Sequence, residues 1–86
     1  MTHLADNSAL ARISKIVHEL VTRRQLPLPI RTDQSLREIG LKSLDLVNMM
    51  LAIEEEFGIE IPQHQLTMDN FQSIVAIERL LSEVAA

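Results

Sequence analysis

Few side chains in this sequence have the types and spacing that chemistry requires. The histidines His3, His18 and His64 are scattered, with no His-Glu-x-x-His and no pair at helical spacing, so they build neither a metal site nor a paired base. There are no cysteines, which excludes a disulfide scaffold and any Cys-based metal or redox site. Any thioester chemistry must therefore use a sulfur brought in from outside the chain. Glu54-Glu55-Glu56 reads as a solvated helix face, and there is no Gly-rich phosphate loop. What remains is Ser43, in Gly40-Leu41-Lys42-Ser43-Leu44-Asp45, between a long loop and an expected helix. Its hydroxyl can cap that helix, although Leu46 replaces the Glu or Gln that a reciprocal capping box needs. Alternatively it can carry an anionic group, because free backbone N–H groups and the helix dipole favour phosphate there by about 0.3–1 kcal/mol. Leu44 would then be the apolar edge on which a modifying enzyme or an attached cargo rests.

The elements that must position this serine are helical. Residues 8–24 read as an amphipathic helix: Asp6, Asn7 and Ser8 offer caps, and Leu10, Ile13, Val17, Leu20 and Val21 recur on one face. On the other face lie Arg12, Lys15, His18, Glu19 and Thr22, with His18 pointing to solvent. Pro27 and Pro29 force extended backbone and open a connection over residues 25–41, in which Leu36 and Ile39 are expected to drop into the core from a single turn. The second helix spans residues 43–57, with Gly58 as its C-cap. Ile59 and Ile61 then turn inward along a short connector, and residues 63–68 form a short turn of helix. A last helix, capped by Asp69 or Asn70, places Phe71, Ile74, Ile77 or Glu78, Leu81 and Val84 on a helical period. The expected fold is all-α: a four-helix bundle of three long helices and one short.

Length and composition agree with that. Eighty-six residues, 47% of them apolar, suit a single domain, with its ordered core at about 8–84. Two glycines and no Trp or Tyr count against a β-sandwich. No apolar run is long enough to insert into a membrane, and the first residues have no secretory pattern, so a cytoplasmic monomer is expected. Charge is unevenly spread. Residues 1–42 carry seven basic groups against four acids, and residues 43–86 carry one against eight, so the halves are +3 and −7. The acidic half suggests a partner with a basic docking surface and counts against nucleic acid.

The second helix carries more apolar surface than a seat on a core requires. Leu46, Met49, Met50, Ile53 and Phe57 form one sector, and Leu44, Val47 and Leu51 form a second stripe beside it. Together they span about 200° of the helix, where a surface helix needs little more than ~100°. Either this is the most buried helix of the bundle, or the second stripe is exposed and docks another protein.

Two blocks of the sequence resemble the acyl carrier protein family. They are Leu36-Arg37-Glu38-Ile39-Gly40-Leu41-Lys42-Ser43-Leu44-Asp45-Leu46-Val47 and Ile53-Glu54-Glu55-Glu56-Phe57-Gly58-Ile59-Glu60-Ile61-Pro62, and the likeness extends from the first helix to Val84. The resemblance implies a four-helix carrier bundle that is not an enzyme. It implies that Ser43 is esterified with 4′-phosphopantetheine by a phosphopantetheinyl transferase using coenzyme A. The arm's thiol then holds an acyl or aminoacyl group as a thioester. It also implies that partners, a loading ligase and downstream transferases or synthases, grip the helix after the serine. The positions matching that grip are Leu44, Asp45, Val47, Asn48, Leu51 and Glu55, with Lys42 at its edge.

The sequence departs from the family pattern at two of these places. Lys42 stands where the family has aspartate before the serine, and the uncharged Asn48 stands where a glutamate is common. Both changes make the docking end less acidic. They favour a specialised stand-alone carrier, one that serves a dedicated pathway or one that accepts an amino acid from an adenylating amino-acid ligase, as aminoacyl and peptidyl carriers do. An interaction module of the same shape that never carries the arm is the alternative.

Overall fold

The computed structural model describes residues 8–85. His3, and the alternative caps Asp6 and Asn7, lie outside them. Among the described residues there are three α-helices, α1 (Ala9–Arg23), α2 (Ser43–Phe57) and α3 (Ile74–Ala85), two single 3-10 turns and no strand. The expected short fourth helix is thus one 3-10 turn at Gln63–Gln65, followed by a second at Asp69–Phe71.

Helix α1 begins where Ser8 accepts a hydrogen bond from Ala11 N through its Oγ at 3.1 Å. Its inner face is Ile13, Val17, Leu20 and Val21, all buried. It ends when Gln25 takes a left-handed conformation (φ 59°) and Leu26 N returns to Val21 O at 3.0 Å, after which Pro27 cannot extend it. The outer face is less solvated than periodicity suggests, since His18 is half-buried.

The connection to α2 holds shape without regular helix. Leu41 N donates to Leu36 O and Gly40 N to Arg37 O, both at 3.1 Å, closing a turn that buries Leu36 and Leu41 and half-buries Ile39. Two further bonds tie the loop to the start of α3: Leu36 N to Gln72 O at 2.8 Å, and Val75 N to Thr32 O at 2.9 Å. The loop that delivers Ser43 is therefore anchored at its middle.

Gly58 ends α2 in the left-handed conformation (φ 63°) that only glycine adopts without cost. Ile61 is buried and Ile59 half-buried, and the Ile61 N–H is satisfied by Glu54 Oε2 at 2.8 Å. The last helix starts later than its sequence period implies. Ser73, and not Asp69 or Asn70, is the cap, accepting from Ala76 N at 3.1 Å. Asp69, Asn70 and Phe71 are taken up by the 3-10 turn, in which Asn70 bonds Gln65 O and Thr67 Oγ1 instead. Phe71, Ile74, Ile77, Leu80 and Leu81 complete one core with Leu46, Met49, Met50 and Ile53 of α2 and the inner face of α1. Burial of this apolar surface, at about 25 cal/mol per Å², is what holds three helices around so few residues.

Candidate functional site

Ser43 is the first residue of α2, and its cap is Lys42, in extended backbone (φ −103°, ψ 176°). The serine is exposed, and its hydroxyl enters no hydrogen bond among the described residues. The capping role open to Ser43 on spacing alone is therefore not the one it plays. Shifting the cap back by one residue makes Asp45 the third helical residue, and its Oδ2 accepts from Lys42 N at 3.0 Å. Lysine has no acceptor to return the bond, so the box is one-sided. A half-box exists here after all, in a register one residue earlier than a serine cap would set.

Asp45 corrects a second expectation. It was placed among the docking residues, but it is only 8% exposed, with its carboxylate between Lys42 N and the Arg24 guanidinium, Nε to Oδ2 3.5 Å. Its charge is spent inside the protein, holding the end of α1 to the start of α2. Arg24 was not singled out in sequence. It shares no helical period with Asp45, so the pairing is visible only once the two helices are packed.

The remaining docking candidates lie outward. Leu44 is 70% exposed, Val47 46% and Leu51 59%, while Leu46, Met49, Met50 and Ile53 on the opposite side of the same helix are buried. The two apolar stripes of α2 thus part: one faces the core and the other faces solvent. Lys42, Asn48 and Glu55 are exposed around the outer stripe. The acidic run also divides. Glu54 caps Ile61 N, and Glu56 pairs with Arg12 at 2.9 Å, whose guanidinium also lies 4.2 Å from the centre of the Phe57 ring. Glu55 and Glu56 are both exposed, as expected for the run, and Glu54 is half-buried.

Around the serine, Arg37, Gly40, Leu41, Lys42 and Ser43 line an open surface cleft of about 290 Å³. A free hydroxyl beside two exposed cations and the first turn of a helix fits a covalently attached phosphodiester. No group of His, Asp and Glu among the described residues could hold a metal. No helix among them is long and apolar enough to cross a membrane.

The fold and this site define a class. Residues 11–81 match the family described as "Phosphopantetheine attachment site", and the chain belongs to it. It is thus a carrier protein of the acyl carrier type, whose cofactor is covalently bound 4′-phosphopantetheine and whose own residues do no catalysis. Aminoacyl carrier protein 1 of Bradyrhizobium diazoefficiens is 39% identical over 70 residues, covering 81% of this chain and 78% of that one. The aminoacyl carrier protein of Agrobacterium fabrum is 46% identical over 57 residues, covering 63% and 69% respectively. Among solved structures, one of Bradyrhizobium japonicum glycine:[carrier protein] ligase complexed with cognate carrier protein and an analogue of glycyl adenylate contains a chain matching with a TM-score of 0.73. The identity there is 36%, over 88% of this chain and 99% of that chain. A second, with glycylated carrier protein, matches with a TM-score of 0.71 at 37% identity, over 85% and 99%.

Proposed function

We propose that Ser43 is the attachment residue, and that the cargo is an amino acid received from an adenylating ligase. The observation that carries the first part is the unbonded, exposed hydroxyl at the mouth of α2, one residue past the cap position, which Lys42 occupies. Likeness to aminoacyl carriers, one of them glycylated, supports the second.

Each residue then has a task. Ser43 Oγ bonds to the phosphorus that coenzyme A presents, the nucleoside bisphosphate leaves, and the serine proton passes to the phosphopantetheinyl transferase. Bound in this way, the cofactor supplies the thiol that holds the cargo as a thioester, a sulfur this chain lacks. Leu44, Val47 and Leu51 offer a partner an apolar ridge about two turns long, and Lys42, Asn48 and Glu55 form its polar rim. The loading ligase and the downstream transferases or synthases use that ridge in turn. Ser43 opens the same helix, so α2 itself fixes its distance from the ridge.

The test uses the full chain with coenzyme A, Mg²⁺ and a broad-specificity phosphopantetheinyl transferase. Intact-mass spectrometry should show the gain of the arm in wild type and none in Ser43→Ala. The product, given ATP and an amino acid:[carrier protein] ligase of the kind seen with the similar carriers, should gain an aminoacyl mass that hydroxylamine removes. No arm on wild type, or an arm on Ser43→Ala, overturns the attachment. A loaded arm that accepts fatty acyl but no aminoacyl groups overturns the cargo.

A further inference from the structure

We propose that Lys42 and Arg37 form an electropositive cradle for the phosphodiester at the root of the arm, so that attachment stabilises this carrier. The inference rests on Ser43 being the attachment residue. Both side chains are exposed, and both line the same cleft of about 290 Å³ as Ser43. Neither enters an ion pair among the described residues, in contrast to Arg12, Arg24 and Arg31, each of which has a carboxylate. The acid nearest in sequence to the serine, Asp45, gives no relief on the cleft side, because its carboxylate is turned to Lys42 N and Arg24.

The two cations differ in their surroundings. Arg37 also lines a neighbouring cavity of about 380 Å³ whose wall includes Glu38 and Asp69, so part of its field is answered there. Lys42 has no such counterweight, since no acid lines the cleft. A phosphodiester carries one negative charge at neutral pH. Beside an aspartate that charge is repelled; beside Lys42 it is attracted, and Arg37 adds a planar donor fork suited to phosphate oxygens. In the unmodified protein Lys42 and Arg37 are two cations lining one cleft that no carboxylate lines, so they repel each other there. The attached phosphate lowers that repulsion.

The experiment compares the melting temperatures of the unmodified and modified full-length protein, each verified by intact mass, in wild type, Lys42→Gln, Lys42→Asp and Arg37→Gln. At low ionic strength, about 20 mM, wild type should melt about 2–4 °C higher with the arm than without it. The gap should shrink in about 0.5 M salt, where the screening length falls to a few ångströms. It should shrink in Lys42→Gln, more than in Arg37→Gln, and vanish or reverse in Lys42→Asp. The ³¹P resonance of the phosphodiester should move between wild type and Lys42→Gln. An equal gap in all four proteins, or a gap indifferent to salt, overturns the cradle. So does a Lys42 variant that loads poorly while its arm-dependent melting shift is intact, since Lys42 then faces the partner and not the phosphate. Failure of the attachment itself is registered separately, as the absence of the arm's mass.

Discussion

Arg24, the residue that closes α1, lies 3.5 Å through Nε from Oδ2 of Asp45 in the first turn of α2, and the same carboxylate oxygen accepts from Lys42 N. One acid therefore joins the end of one helix, the cap of the next, and the residue beside the attachment serine. Asp45 is nearly buried, so removing it leaves the Lys42 N–H without its acceptor and takes the anion from the part-exposed Arg24 guanidinium. Asp45→Ala should cost about 1–3 kcal/mol in urea unfolding. Arg24→Gln should cost less, about 0.2–1 kcal/mol, because its side chain is 43% exposed and solvent answers part of the charge. A double-mutant cycle reads the coupling, and additive losses would show that the two side chains do not act together.

Ser43→Ala separates a tether from a cap. A capping serine typically contributes about 1 kcal/mol. The hydroxyl here holds no bond, so the substitution should alter stability by no more than about 0.5 kcal/mol, while the mass gain with coenzyme A disappears. A loss of a full cap's worth in chemical denaturation would contradict the free hydroxyl.

The two stripes of α2 should respond oppositely to a charge. Val47→Glu and Leu51→Glu lie on the outward stripe and should leave the helical circular dichroism spectrum and melting temperature near wild type, while slowing modification or loading. Ile53→Glu, at a site of 0% exposure, should unfold the domain, because an unpaired carboxylate buried there costs several kcal/mol. Unfolding by Val47→Glu would mean that the outward stripe is covered.

Two glycines should differ in what they tolerate. At Gly58 (φ +63°) a methyl group meets nothing within 4 Å, so Gly58→Ala should cost only the conformational penalty, about 1 kcal/mol, and Gly58→Asn less. At Gly40 (φ +120°) the backbone is outside what other residues adopt, and a methyl group would come 2.9 Å from Leu26 Cδ2. Gly40→Ala should therefore lower the melting temperature more than Gly58→Ala. It should also disturb the loop that delivers Ser43, seen as slower modification. The reverse order would discount the strain at Gly40.

Asp33 offers a pH test. The Arg31 guanidinium, which donates through Nε to Oδ1 at 3.0 Å, holds its carboxyl below the ordinary carboxylate value, by the hydrogen bond first and by charge second. A carboxylate with a lowered folded-state pKa adds stability above its unfolded pKa and loses it as pH falls through the folded value. Since the pair is exposed, the effect on unfolding should be slight. The titration of Asp33 followed by NMR is the sensitive readout. It should rise towards the ordinary value in Arg31→Gln; an unmoved titration would remove Arg31 as the cause.

Local pattern alone was enough to place α1 and α2, the Gly58 cap, the inward turn of Leu36, Ile61 and Phe71, and the serine worth testing. Those features depend on neighbours a few residues away, through helical period, cap chemistry and the backbone freedom of glycine. Whether Leu44, Val47 and Leu51 were covered could not be read in that way, because exposure depends on which element packs over a face, and α1 and the core took the other side. The start of the last helix was misplaced for a related reason. Asn70 satisfies Gln65 O and so is drawn into a 3-10 turn, leaving Ser73 to cap. Only the packed structure shows that Asp45 faces Arg24, that the cap belongs to Lys42, and that Ser43 is consequently idle. The first is a meeting of side chains far apart in sequence, and a one-dimensional pattern has no term for the partner a charge finds across a helix–helix contact; the other two follow from the bond between Lys42 N and Asp45, which sets the cap one residue before the serine.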